Sequence, residues 1–139
     1  MDLGLSEQQE LLKNAAREFL ENECPEQHVR DMEEDERGYS PELWGQMAEQ
    51  GWQGLLIPEE HGGVGFDFLD MCVLLEEFGR ALVPGPFMSS VLGGAVSIME
   101  AGSDAQKSEF LPGIASGDLI FSLALLLFLF QTNYPPEFT

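Results

Sequence analysis

Apolar residues recur along most of this chain at the spacing of one face of an α-helix. In the first segment they form three pairs, four positions apart: Leu11 with Leu12, Ala15 with Ala16, and Phe19 with Leu20. Ser6 and Gln9 have the spacing of a capping box just before these pairs, and Pro25 follows them. The pattern predicts a helix that begins after Ser6 and ends before Pro25.

A second helix start is indicated at Ser40, because Pro41 would occupy the first helical position, where a missing N–H costs nothing. The apolar face of this helix comprises Leu43, Trp44, Met47 and Ala48. Gly51 is the predicted C-terminal cap.

Three more helices are predicted towards the C-terminus. Residues 68–80 are apolar nearly all round, which is typical of a helix buried on more than one side. Residues 87–99 carry paired apolar positions of helical period, and Gly102 ends them. A further capping box at Ser103 starts a short helix that should end at Leu111, before Pro112.

Two intervening segments leave alternatives open. Residues 26–37 are highly charged and form either a short exposed helix or an irregular segment, and residues 52–57 form either a turn of helix or a short extended piece. No periodic strand is indicated before residue 118. The predicted fold is all-α, an orthogonal or up-down bundle of about five helices in residues 1–118, followed by an off-pattern apolar tail in residues 119–139 that could be extended.

Composition excludes several classes of function. The chain has 139 residues, of which 6 are basic and 25 acidic, for a net charge of −19. This balance argues against binding to nucleic acid or to an anionic membrane surface. Cys24 and Cys72 lie far apart and outside any zinc-binding pattern, and Cys72 is predicted to be a small core residue. No secretory signal is readable at the N-terminus, so a cytoplasmic location is the default expectation.

The glycine-rich stretch at residues 58–65 is the first candidate for chemistry. It lacks the spacing of a dinucleotide or phosphate-binding loop, so a tight turn between helices is the favoured interpretation, with His61 as a turn or surface residue. Glu76 and Glu77 are adjacent and would diverge by about 100° on a helix, so they would not form a two-carboxylate site. The residues therefore indicate no catalytic, cofactor-binding or metal-binding side chain.

Three motifs carry a family resemblance: Ile57-Pro58-Glu59-Glu60-His61-Gly62-Gly63-Val64-Gly65, Leu75-Glu76-Glu77-Phe78-Gly79-Arg80, and the run 107–118 with its Phe-Leu-Pro-Gly sequence. With the helix order, they make residues 3–124 resemble the N-terminal helical domain of acyl-CoA dehydrogenases. The resemblance implies FAD as the cofactor of the parent enzyme, an acyl-CoA substrate, and desaturation between its α and β carbons. It also places Ser89 and Gly93 where the family lines its acyl-chain pocket. Packing of small residues at a helix crossing is the alternative role for these two.

The resemblance breaks at residues 126–128, where Leu-Leu-Phe stands in place of the family's Thr-Glu-Pro sequence. The family's catalytic Glu and most of its flavin contacts come from later domains, so the chain is expected to be inactive alone and not to retain FAD. A companion subunit or a homo-oligomer would complete it. The alternative function is a non-catalytic helical binding module. The apolar run 119–130 is too short for a membrane span and is either a frameshifted tail or a strand without its sheet.

Overall fold

The computed structural model describes residues 4–124, and these are helical with no strand. Six α-helices are formed in this part of the chain: α1 (Glu7–Glu23), α2 (Glu26–Glu34), α3 (Pro41–Glu49), α4 (Phe68–Ala81), α5 (Val96–Ala101) and α6 (Asp104–Ala115). A 3₁₀ helix at Glu59–His61 precedes α4, and a π-helix at Met88–Ala95 leads directly into α5. The all-α prediction is confirmed.

Capping residues begin the helices where the sequence predicts. The Ser6 hydroxyl accepts a hydrogen bond from the Gln9 N–H at 3.2 Å, and the Gln9 side-chain oxygen accepts one from the Ser6 N–H at 3.0 Å. Ser103 forms the same reciprocal pair at the start of α6. The Ser40 hydroxyl accepts from the Leu43 N–H at the start of α3, which has Pro41 in its first turn. These caps satisfy N–H groups that a helix start otherwise leaves unpaired.

The main core is a chain of aromatic rings between α1, α3 and α4. Trp52 lies edge-on to Phe19 at 5.0 Å between ring centroids and to Phe78 at 5.5 Å. Phe87 continues the chain, at 4.7 Å from Phe78 and 6.4 Å from Trp44. Edge-to-face contacts of this kind add to the free energy gained from burying the rings. They fix the start of the π-helix against α3 and α4.

A smaller cluster buries α6 against the π-helix and α5. Its fully or nearly fully buried members are Ile57, Ala95, Leu111, Ile114 and Ala115. The Trp44 indole N–H donates to the Gly117 carbonyl at 2.8 Å, which ties α3 to the end of α6. The two clusters thus hold the six helices as one unit.

The predicted end of α6 at Leu111 is wrong, because the helix continues through Pro112 to Ala115. Proline at this position removes one hydrogen bond, which the exposed Ser108 carbonyl can replace with water. Continuation buries Ile114 completely and lets the Ser116 N–H donate to the Pro112 carbonyl at 3.0 Å. Packing of the last turn therefore outweighs the lost bond.

Two further predictions need correction. Residues 87–99 do not form one regular α-helix, since the first eight residues of the element are π-helical. In α4, Met71, Leu74 and Phe78 are buried, but one face of the helix is exposed and Cys72 lies on it rather than in the core. Nothing in the sequence of α4 alone distinguishes a covered apolar face from an uncovered one.

The segments with open alternatives are now assigned. Helix α2 occupies most of 26–37, and it has no fully buried residue. Residues 52–57 form buried turns rather than a helix or strand. The departure from the family pattern at 126–128, and most of the tail 119–139, lie outside the described residues. Within residues 4–124, no helix has the length and apolar character needed to cross a membrane.

Candidate acyl-pocket wall and its surroundings

Ser89 and Gly93, the two residues proposed from the sequence, both lie on the π-helix. Ser89 is exposed, and its hydroxyl donates to the Pro86 carbonyl at 3.0 Å. Gly93 is half-buried, and a Cβ placed on it would lie 3.3 Å from the Leu123 Cβ. The two residues are four positions apart and share one side of the helix, next to the exposed Met88. A π-helix is uncommon and frequently marks a functional site.

The neighbouring small residues Ser90 and Gly94 have a role that sequence reasoning missed. Ser90 is fully buried, and its hydroxyl oxygen accepts a hydrogen bond from the Phe121 N–H at 3.1 Å. At Gly94 a Cβ would lie 2.5 Å from the Phe121 Cβ, so only glycine allows this approach. Residues 119–124 therefore pack across the π-helix. The sequence signal for this packing was the Ser89-Ser90 pair, which the Gly93-Gly94 pair follows four residues later.

Among the described residues, Glu77 is the carboxylate with no exposed surface. Two arginines hold it. It accepts hydrogen bonds from Arg17 at 2.6 and 3.0 Å and from Arg80 at 2.7 Å. The hydrogen bonds from Arg17 lower the pKa of Glu77 from 4.5 to about 2, with Arg80 adding to the effect and burial opposing it. The same contact raises the pKa of Arg17. Glu77 is therefore ionised at neutral pH and is a structural residue.

Glu76 points away from Glu77, as the helical spacing predicts. Its side chain is 65% exposed and pairs with Lys13 of α1 at 2.9 Å. The buried Asp70 belongs to the capping box at the start of α4, where its carboxylate accepts from the Asp67 N–H at 3.1 Å. Within residues 4–124, each of these three carboxylates has a partner of its own. None of them is available as a free base beside the π-helix.

The glycine-rich stretch is a tight turn, as predicted. The N–H groups of Gly62, Gly63, Val64 and Gly65 all donate to backbone carbonyls within residues 54–59. No N–H of this run is left to hold a phosphate. At Gly63 a Cβ would lie 1.9 Å from the Ile57 carbonyl oxygen, which explains the requirement for glycine there. Among residues 4–124, no group of three or more His, Cys, Asp or Glu could hold a metal ion.

The cationic side chains do not fit a complete dinucleotide site. Five of the six form ion pairs with carboxylates of the same domain: Lys13, Arg17, Arg30, Arg37 and Arg80. A pyrophosphate needs cationic side chains or N–H groups that are free to reach it. In the part of the chain that the structure describes, Lys107 is the one Lys or Arg outside these ion pairs. Residues 4–124 thus provide no ready-made cradle for a pyrophosphate.

Comparison with known proteins identifies the family of this domain. The family profile for the N-terminal domain of acyl-CoA dehydrogenases matches residues 6–118. The chain belongs to the acyl-CoA dehydrogenase family. The resemblance drawn from its motifs is confirmed.

Relatives within the acyl-CoA dehydrogenase family are considerably longer than this chain. The acyl-CoA dehydrogenase IpdE2 of Mycolicibacterium smegmatis is 36% identical over 119 residues, which are 85% of this chain and 38% of that protein. The chain therefore spans little more than a third of that relative, and what it matches is the N-terminal domain.

Solved structures of acyl-CoA dehydrogenases share the fold. The ChsE4-ChsE5 complex from Mycobacterium tuberculosis superposes with a TM-score of 0.80 at 26% identity, covering 88% of this chain and 34% of that one. The Bacillus anthracis acyl-CoA dehydrogenase complexed with FAD gives 0.74 at 28% identity, covering 84% and 20%. The family is FAD-dependent.

Proposed function

We propose that this chain supplies the N-terminal helical wall of an acyl-CoA pocket and that Ser89 and Gly93 face the acyl group. The observation that carries the proposal is the π-helix, whose side bearing both small residues is open to solvent at Ser89 and Met88. Gly93 has no side chain, and Leu123 lies 3.3 Å from the place where its Cβ would be, so an acyl group would reach this side of the helix at Ser89 and Met88. Leu123, which lies against Gly93 and is 57% exposed, would border the same space.

Residues 4–124 are not expected to catalyse α,β-desaturation alone. That reaction needs a base for the α proton and a flavin to accept the hydride. A carboxylate base needs a pKa close to the working pH, whereas the pKa of Glu77 is about 2 and two arginines occupy its oxygens. No other fully buried carboxylate exists in residues 4–124.

The flavin site, like the base, is proposed to lie outside residues 4–124. When bound in a complete enzyme, FAD supplies the hydride acceptor. Residues 4–124 would contribute mainly apolar surface near it, because all of their Lys and Arg side chains except Lys107 are engaged in ion pairs. The purified 139-residue chain is therefore expected to bind FAD weakly or not at all.

A companion polypeptide would supply the remaining parts of the pocket. The structural neighbour ChsE4-ChsE5, which is a complex of two proteins, supports this. The companion would carry the base and the flavin site, and acyl-CoA would bind between the two partners.

The experiment is a reconstitution with acyl-CoA dehydrogenases such as IpdE2, each produced without its own N-terminal domain. Each is mixed with the chain, octanoyl-CoA and FAD, and reduction of an artificial electron acceptor is followed. Activity that requires both partners, and that Ser89→Trp lowers through a raised KM, is the expected result. Ser116→Trp, an exposed serine on the end of α6, is the matched control. Equal activity of Ser89→Trp and the control would refute the role of the π-helix wall.

A non-catalytic binding module is the second candidate. The exposed apolar face of α4 favours it, because a soluble monomer seldom exposes a contiguous apolar patch without a partner.

A further inference from the structure

Leu123 occupies the space that the missing side chain of Gly93 leaves on the π-helix. A Cβ on Gly93 would lie 3.3 Å from the Leu123 Cβ and 3.7 Å from the Leu123 backbone nitrogen. Gly93 is half-buried, whereas Leu123 is 57% exposed. The surface at this point is therefore formed by a leucine side chain that comes from residues 119–124, and not by the helix itself.

Leu123 also adjoins the open part of the acyl-pocket wall. The Met88 carbonyl oxygen lies 3.8 Å from the same Cβ position on Gly93, so Met88 and Leu123 approach this glycine together. The Met88 side chain is 57% exposed, and Ser89 is exposed as well. An acyl group that contacts Ser89 and Met88 would therefore come next to the exposed leucine.

The backbone that carries Leu123 is anchored two residues earlier, at Phe121. The Phe121 N–H donates to the hydroxyl oxygen of the buried Ser90 at 3.1 Å. The Phe121 Cβ lies only 2.5 Å from the Cβ position on Gly94, so the segment rests directly on the helix. A shift of Leu123 away from Gly93 would disturb these contacts. The leucine is therefore a fixed part of the wall.

An apolar side chain held in this place limits the width of the acyl group beside it. Well-packed apolar side chains yield little to a group that overlaps them. A linear alkyl chain can pass along Leu123, whereas an acyl group that carries a ring needs the volume that the leucine fills. One methylene in an apolar pocket is worth roughly 10–200-fold in discrimination between substrates, and leucine exceeds alanine by more than one such group.

We propose that Leu123 is the specificity-determining residue of the wall at Gly93, and that it selects unbranched acyl thioesters over acyl groups that carry a ring. This inference rests on the proposed function, because it requires that the wall meets an acyl group. It also refines the role of Gly93, whose lack of a side chain makes room for the leucine.

Reconstitution with IpdE2 that lacks its own N-terminal domain tests the proposal. The value of kcat/KM is measured for octanoyl-CoA and for cyclohexanecarbonyl-CoA, whose ring contains both the α and the β carbon. Leu123→Ala should raise the ratio of the ring substrate to the linear substrate at least about tenfold, and Leu123→Trp should lower it. Both variants should fold, because the side chain they replace is mostly exposed.

Leu119→Ala is the matched control. Leu119 belongs to the same segment and also lies against a glycine, with its Cδ1 2.6 Å from the Cβ position on Gly113. That glycine is part of α6 and not of the π-helix. The substrate ratio of Leu119→Ala should therefore equal that of the wild type.

The outcomes separate this inference from the proposed function. Equal substrate ratios in Leu123→Ala and Leu119→Ala would overturn the inference, while turnover of octanoyl-CoA in the same mixtures would leave the proposed function standing. An unchanged or raised ratio in Leu123→Trp would also overturn the inference. If no mixture turns over octanoyl-CoA, the proposed function fails and the inference fails with it.

Discussion

Arg17 of α1 and Glu77 of α4 form two hydrogen bonds, at 2.6 and 3.0 Å, that join helices sixty residues apart in sequence. Glu77 is completely buried, whereas the Arg17 side chain is 43% exposed. The Glu77 charge therefore lies in the interior, whereas the Arg17 charge remains partly hydrated. Arg80 completes the shell around the carboxylate at 2.7 Å.

Loss of the Glu77 charge should destabilise the fold. Glu77→Gln leaves two guanidinium groups facing a neutral amide, and we expect a loss of about 3 kcal/mol in the free energy of unfolding, at the low end for buried pairs because both arginines stay hydrated. Glu76→Gln is the matched control on the same helix. Its pair with Lys13 is largely exposed, so less than about 0.5 kcal/mol is expected. Urea unfolding measures both, and equal losses would contradict the role given to Glu77.

The same carboxylate predicts an acid-dependent loss of stability. The folded-state pKa of Glu77 is about 2, below its ordinary value of 4.5, so its contribution is fully present above about pH 5 and is lost as pH falls from 4.5 towards 2. Between pH 6 and pH 3 the wild type should lose about 2 kcal/mol more than Glu77→Gln. Parallel pH profiles for the two proteins would show that folding does not lower the pKa of Glu77.

Interactions between near neighbours could be predicted from the sequence, and interactions between distant residues could not. The Ser6–Gln9 capping box is three residues wide and follows from its spacing. The same is true of the divergence of Glu76 and Glu77. By contrast, the choice of Arg17 as the partner of Glu77 depends on how α1 lies on α4, which no local pattern encodes.

The candidate site shows the same division. The family resemblance singled out Ser89 and Gly93, yet nothing in the sequence predicted the π-helical winding or the packing of Phe121 on Gly94. Pro112 is the sharpest case. Its local preference ends a helix, but burial of Ile114 and Ala115 carries α6 past it.

The hydrogen bond from Phe121 to Ser90 should hold residues 119–124 against the π-helix. Ser90→Ala leaves the Phe121 N–H without its acceptor, and we expect a loss of about 1 kcal/mol together with faster hydrogen exchange at the Phe121 amide. Ser89→Ala removes a neighbouring exposed hydroxyl and should leave that exchange rate unchanged. If both variants accelerate exchange equally, the segment is not anchored at Ser90.

The turn before α4 should tolerate no side chain at Gly63. Its Cβ would overlap the Ile57 carbonyl oxygen at 1.9 Å, so Gly63→Ala is expected to cost more than about 2 kcal/mol or to prevent folding. Gly45→Ala, in the open middle of α3, should raise stability by roughly 0.5–1 kcal/mol. Thermal unfolding of the two variants compares them directly, and a Gly63→Ala protein as stable as wild type would contradict the geometry of the turn.

Turnover by the isolated chain is the most direct test of the claim that these helices form only one wall of an acyl-CoA pocket. The purified 139-residue chain is incubated with FAD, desalted, and assayed with octanoyl-CoA and an artificial electron acceptor. The account predicts a colourless protein and no reduction of the acceptor. A yellow protein that reduces the acceptor on addition of the thioester would contradict it.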